Sequence, residues 1–302
     1  GERRYRRRVA LVVGNGAYRE PVKALSNPAN DATSMARMFM GLGFTVYRAI
    51  DASEAGFKDC FDRFKADLES SDGTATESAG RASGEGNTSA AGEDDGKTDI
   101  ALFFYAGHGV QLTSTADNVK RNYMMSVDAS VDANGKAKGF RQVDAVLNEM
   151  RAHSRQAVFL YDACRDSPYE EGEIKEADGR PVRFGQVEGP APVEIEEEDA
   201  ASQAGLFIAY ATSPGKTADD AWGVAGSTHS PFTEALLKNL PTPGDGIEEA
   251  LVDAYFDVRE LTNGQQTPWT SSSLTERVRL NGAVRSADIR VRAGDQAARY
   301  GG

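Results

Sequence analysis

Two apolar runs in this sequence end on residues that can do chemistry together. QAVFLYDACRD (156–166) carries Cys164 at its end, and DIALFFYAGHG (99–109) carries His108 at its end. A free thiol is mostly protonated at neutral pH, and a neighbouring imidazolium lowers its pKa and stabilises the thiolate. The same ring can then protonate a leaving amine, which makes the pair a candidate dyad for acyl transfer through a thioester. Gly107 and Gly109 let the backbone turn tightly around His108. The amides of Gly109 and Cys164 are the candidate oxyanion hole, where one lost donor typically costs a rate factor of ~10²–10³.

The elements around these residues have to bring them together. VALVVGN (9–15), FTVYRAI (44–50), 99–109, 156–164 and GLFIAYATSP (205–214) read as buried strands. Between them lie helical segments: one after SNPAND with Asn30 or Asp31 as its cap, one over Phe57–Leu68, one over 140–154 and one starting at Ser230-Pro231. A last one covers 246–264. Strands alternating with helices predict an α/β fold with a mostly parallel central sheet flanked by helices. In such sheets sites form at the carboxyl ends of the strands. One right-handed crossover between the two runs sets His108 and Cys164 at one edge. Of the other histidines, His153 precedes its strand and His229 starts a helix, so neither rivals His108. Cys60 falls in the apolar stripe Phe57, Phe61, Phe64, Leu68 and reads as core.

The chain's 302 residues carry a formal charge of −12, with eleven Asp/Glu against Lys175, Arg180 and Arg183 in 170–199. RRYRRR (3–8) is the only basic concentration, too narrow for a nucleic-acid surface. The two cysteines give no disulfide framework. No stretch has the roughly 20 apolar residues a membrane span needs. The first residue is Gly, and a cytoplasmic and an exported protein are equally compatible with the sequence. VVGNGAY has Arg19 at the third glycine position of a dinucleotide loop and lacks a Walker lysine, which argues against nucleotide binding.

YAGHG and DACRD, with VALVVGNGAY…LSNPANDA, GLFIAYATSPG and SPFTEALLKNL, resemble the caspase-like cysteine peptidases, above all the prokaryotic metacaspases called orthocaspases. The resemblance runs from about 9 to 280. It implies the caspase-hemoglobinase fold, with His108 and Cys164 as catalytic dyad. Its organisation would be a basic arm (1–8), a large-subunit-like part (9–166) with a flexible insertion (70–98), an acidic linker (167–204), a small-subunit-like part (205–285) and a tail (286–302). Where true caspases have Gln two residues before the nucleophile, this chain has Asp162. That implies cleavage after Arg or Lys, with Asp31 as the second pocket carboxylate. A carboxylate pair suits a guanidinium, which it can hold bidentately. Asp220 is the candidate third carboxylate and Trp222 the candidate wall of the next subsite.

Caspase-like chains are often cut in the linker, which points to Arg183 and Lys175 as self-processing sites. No cofactor site is expected: no zinc spacing occurs, and although metacaspases often need calcium, so that calcium activation stays compatible with the resemblance, no ligand cluster in the sequence matches a calcium site. Expected partners are peptides or proteins with basic residues, met by a monomer. The alternative is a caspase-like scaffold or pseudo-enzyme that acts by binding.

Overall fold

The computed structural model describes residues 7–70, 97–164, 172–176, 178–184, 205–213 and 228–281. Asp220, Trp222, the insertion between 71 and 96 and the tail beyond 281 lie outside them. Of Cys164 only the backbone is described.

Five strands form the parallel sheet: β1 (Arg8–Gly14), β2 (Thr45–Ile50), β3 (Thr98–Ser114), β6 (Ser154–Cys164) and β9 (Gly205–Tyr210). They lie in the order β9-β6-β3-β1-β2, and antiparallel β10 (Trp269–Ser272) closes the β9 edge. The inner strands are apolar at nearly every position because both faces are covered. Helices α1 (Pro28–Gly41), α4 (Pro231–Asn239) and α5 (Ile247–Leu261) cover one face. There Met35, Phe39, Phe104, Leu160, Phe232 and Leu236 pack together. Helices α2 (Glu54–Glu69) and α3 (Val143–His153) cover the other, with Phe64, Phe103, Phe159 and Met150. Cys60 lies in this second layer, 3% exposed, and burial pushes its thiol pKa up.

Three departures from the sequence reading matter. First, β3 does not stop at His108. It continues to Ser114, and beyond His108 it pairs antiparallel with β4 (Lys120–Val131) and β8 (Pro181–Phe184). Gly107, at φ +152°, marks the change of partners; a Cβ there would come within 2.7 Å of Tyr18 Oη. Strand β4 pairs in turn with β5 (Ala137–Gln142). Second, the expected linker contains a hairpin, β7 (Gly172–Lys175) with β8, docked on β3. Ile174, Val182 and Phe184 are buried against Val110, Leu112 and Tyr123, so acidic composition hid a strand with a period-2 apolar face. Third, the basic arm is shorter than expected. Arg8 belongs to β1, its guanidinium donating to the Leu280 carbonyl at 2.9 Å, and Arg7 pairs with Asp67 at 3.1 Å.

Candidate active site

Strands β3 and β6 run in register from Thr98↔Ser154 to His108↔Cys164. Adjacent strands lie about 4.8 Å apart, so the backbones of His108 and Cys164 are immediate neighbours at the carboxyl edge of the sheet. Gly109 follows on β3 as the register partner of Met124.

His108 is held on all sides. Its N–H donates to Tyr18 Oη at 2.9 Å and its carbonyl accepts from Tyr105 Oη at 2.7 Å. The Tyr18 ring lies 4.7 Å from the imidazole, centroid to centroid. The two phenol oxygens are 3.3 Å apart and also meet the backbone of Met125, Tyr18 donating to its carbonyl and Tyr105 accepting from its N–H. Burial raises both phenol pKa values, so both stay protonated and able to donate. The ring itself is fixed by Nε2, 2.7 Å from the Lys23 carbonyl. A carbonyl only accepts, so Nε2 carries the proton and Nδ1 is the basic nitrogen of the neutral ring.

The two carboxylates expected from the sequence to bind a basic side chain converge at the start of α4. Asp31 is not the helix cap: Asn27 precedes Pro28 there, and Asp31 lies inside the first turn of α1 with its carboxylate turned to other partners. Its Oδ1 accepts from His229 Nδ1 at 2.8 Å and from the Ser230 N–H at 3.3 Å. Asp162 Oδ2 accepts from the Ser230 hydroxyl and from Thr233 Oγ1 at 2.7 Å. Ser230, the cap of α4, thus bonds both carboxylates at once, and Asp31 and Asp162 are 1% and 7% exposed. Two buried carboxylates thus meet at one serine, each held by hydrogen bonds.

A protein-family model described as Caspase domain matches residues 7–77 and 86–279. The chain belongs to the caspase-domain family. Among solved structures, a crystal structure of a protein from Geobacter sulfurreducens is similar in fold, at 15% identity and a TM-score of 0.54, covering 92% of this chain and 100% of that one. No curated protein matches. Family membership supports a cysteine-peptidase scaffold acting on protein substrates, and the mixed, mostly parallel sheet is that of a caspase domain.

Within this caspase domain, other residues weighed in the sequence also have defined places. The loop after β1 presents amides as a phosphate loop does, but Gly16 and Ala17 both donate to Asp51 Oδ1 at 2.8 Å, so a built-in carboxylate takes the anion's place. His153 sits far from His108, at the amino end of β6, 3.6 Å from Glu69 and 3.8 Å from Glu149. These three groups have ligand atoms within 4.8 Å of one another, but Lys65 Nζ stands 2.8 Å from Glu149 and supplies the cation. No described helix is long and apolar enough to cross a membrane.

Arg183 is exposed but lies in β8, between β7 and β3; Lys175 ends β7, its N–H donating to the Gly135 carbonyl at 2.7 Å. Sequence reasoning missed His229, Tyr18 and Tyr105. Only the place of His229 beside the Ser230 cap pointed toward the pocket. The tyrosines read as ordinary loop and core residues.

Proposed function

We propose that this caspase domain is a cysteine endopeptidase of the orthocaspase type that cuts after Arg or Lys. The observation that carries the reading is the register pairing of His108 with Cys164 at the carboxyl edge of the sheet. Asp31 and Asp162 meeting at Ser230 support the preference for a basic side chain.

In this reading the Cys164 thiolate attacks the scissile carbonyl carbon, forming a C–S bond and pushing the carbonyl electrons onto oxygen. The amides of Gly109 and Cys164 receive that charge. As the tetrahedral centre collapses, the C–N bond breaks and protonated His108 gives its proton to the departing amine. Water, deprotonated by His108, then displaces the thiol from the thioester and leaves a carboxylate. Anchoring of Nε2–H on the Lys23 carbonyl supports Nδ1 as the atom that moves the proton. Asp31 and Asp162 take the guanidinium or ammonium of the residue before the cut. Asp220 and Trp222 are proposed for the same pocket and its neighbour.

The test is a stopped-flow assay with an arginyl ester: one equivalent of the alcohol released per chain in a burst while the acyl group stays on the enzyme, absent in Cys164→Ala, supports the enzyme. A folded chain that binds peptides without a burst is a scaffold instead. A peptide panel varied at the residue before the cut reads the specificity. Self-cleavage at Arg183 or Lys175 belongs to this reading only as a slow step that follows opening of the β7–β8 hairpin.

A further inference from the structure

Asp31 is screened from solvent by a neighbour that the mechanism does not use. Its side chain is 1% exposed and that of His229 is 22% exposed, with Nδ1–H donating to Oδ1 across 2.8 Å. The imidazole is thus the more exposed member of the pair and occupies one of the positions from which a cation would meet Oδ1. Its other nitrogen, Nε2, lies 3.4 Å from Ser34 Oγ, less than one turn further along α1. In the neutral ring Nδ1–H serves Asp31 and Nε2 accepts from the Ser34 hydroxyl; in the imidazolium Nε2–H donates to Ser34 Oγ instead. The ring can change charge without leaving its place.

Ser34, His229 and Asp31 stand in the order of a hydrolytic relay, but that function does not fit. Ser34 is in the interior of α1, where backbone N–H groups are bonded to carbonyls four residues earlier. No amides are left there to hold an oxyanion. What the arrangement does fit is control of access to a carboxylate.

We propose that His229 is a specificity-determining residue of the acidic pocket, competing with the basic side chain of the substrate for Asp31. The inference rests on the reading of Asp31 and Asp162 as the pocket for that side chain. An imidazolium neutralises Asp31 and leaves an incoming guanidinium one fewer charge to meet. A neutral imidazole leaves the carboxylate pair at full charge. Among the described residues, charged groups near the ring include Asp31 from α1, Glu234 on α4 and, beyond Ser230, Asp162 from β6. The hydrogen bond to Asp31 raises the ring's pKa, partial burial opposes it, and Glu234 adds to the rise. The protonated form therefore persists toward neutral pH, and binding of a basic side chain expels its proton.

The experiment uses the full chain as Cys164→Ala, which cannot turn over, with benzamidine as the probe in place of an arginyl side chain. Calorimetry between pH 5.5 and 8.5 should show affinity rising roughly tenfold as His229 loses its proton, the effect expected for one unit charge near the site. In buffers of different ionisation enthalpy, binding near the midpoint should release about half a proton, the amount that a tenfold linkage gives. His229→Gln, which keeps a neutral donor for Asp31, should bind benzamidine with an affinity that no longer changes with pH. That variant also separates the contribution of His229 from that of His108. Benzamidine binding that is independent of pH in the parent protein overturns the proposal and leaves the acidic pocket standing. An unchanged pH dependence in His229→Gln also overturns it. Absence of binding at every pH, or full binding in Asp31→Asn, overturns both. Proton release is read on the parent chain, so the proposal stays testable if His229→Gln fails to fold.

Discussion

Tyr105 Oη donates to the carbonyl of His108 at 2.7 Å, three residues along the same strand. This short-range bond closes the backbone around Gly107, and Tyr18 takes the N–H of the same histidine at 2.9 Å. The imidazole is thus aimed by two buried phenols rather than by its own rotamer alone. Tyr105→Phe leaves a buried carbonyl without its donor, which destabilises by about 1–3 kcal/mol. It should also lower kcat severalfold while KM for a small arginyl substrate stays within twofold. Steady-state kinetics alongside urea unfolding checks this; a variant that is less stable but has unchanged kcat would reduce Tyr105 to a packing role.

The two cysteines should separate cleanly. Cys164→Ala should abolish ester and peptide hydrolysis while the chain still unfolds cooperatively. Cys60→Ala should keep activity and lose about 1 kcal/mol of stability, the usual size for a small core truncation, because Cys60 is 3% exposed among Phe57, Phe61 and Phe64. Its burial-raised thiol pKa predicts that iodoacetamide near neutral pH labels Cys164 first. Equal labelling of both in the native protein would argue against an activated Cys164.

Most of the parallel sheet was legible because its strands are continuous apolar runs closed by Gly, Asn or charge, a pattern few other elements share. The helix at Ser230-Pro231 was equally clear: Ser230 Oγ accepts from the Thr233 N–H at 2.9 Å, as a cap should. The antiparallel extension was not. Strands β7 and β8 lie in an acidic stretch whose composition dominates a short alternating signal, and β3 reads as ending where a glycine and a histidine interrupt its apolar run. For the site, His108 and Cys164 stood out by position in the chain. The link between Asp31 and Asp162 did not, since it passes through a serine about 200 residues from one and about 70 from the other. Sequence separation of that size carries no local pattern to read.

Asp162→Asn keeps the size and the hydrogen bonds from Ser230 and Thr233 but removes the charge. For a desolvated partner of a guanidinium this should weaken transition-state binding of arginyl substrates by roughly 2–5 kcal/mol. The loss should fall on kcat/KM, with the alkylation rate of Cys164 by iodoacetamide unchanged. Equal kcat/KM in parent and variant would show that the basic side chain binds elsewhere.

Self-cleavage at Arg183 requires β8 to leave its two neighbours, because a peptidase binds its substrate as an isolated extended strand. The parent chain should therefore cut itself slowly at that bond. Ile174→Ala, on the facing strand β7 and away from the scissile residues, loosens the hairpin by removing a buried side chain. It should speed cleavage after Arg183 severalfold, and Cys164→Ala combined with it should stop the reaction. Mass spectrometry of the new termini checks this. An equal rate in the parent and Ile174→Ala would mean that the hairpin does not guard the bond.

The His229–Asp31 pair also makes stability depend on pH, with a sign fixed by the direction of the shift. The hydrogen bond to Asp31 raises the folded pKa of His229 above its ordinary value of 6.5. The folded state therefore binds the proton more tightly than the unfolded chain does. The contribution is fully present below the unfolded value, and it is lost as pH rises through the folded one. His229→Gln removes it, so the variant should be less stable than the parent at pH 5.5 and close to it at pH 8.5. Urea unfolding of both proteins at the two pH values measures the difference. A gap that widens toward alkaline pH would mean that the ring is held as the neutral imidazole, and that Asp31 prefers it uncharged.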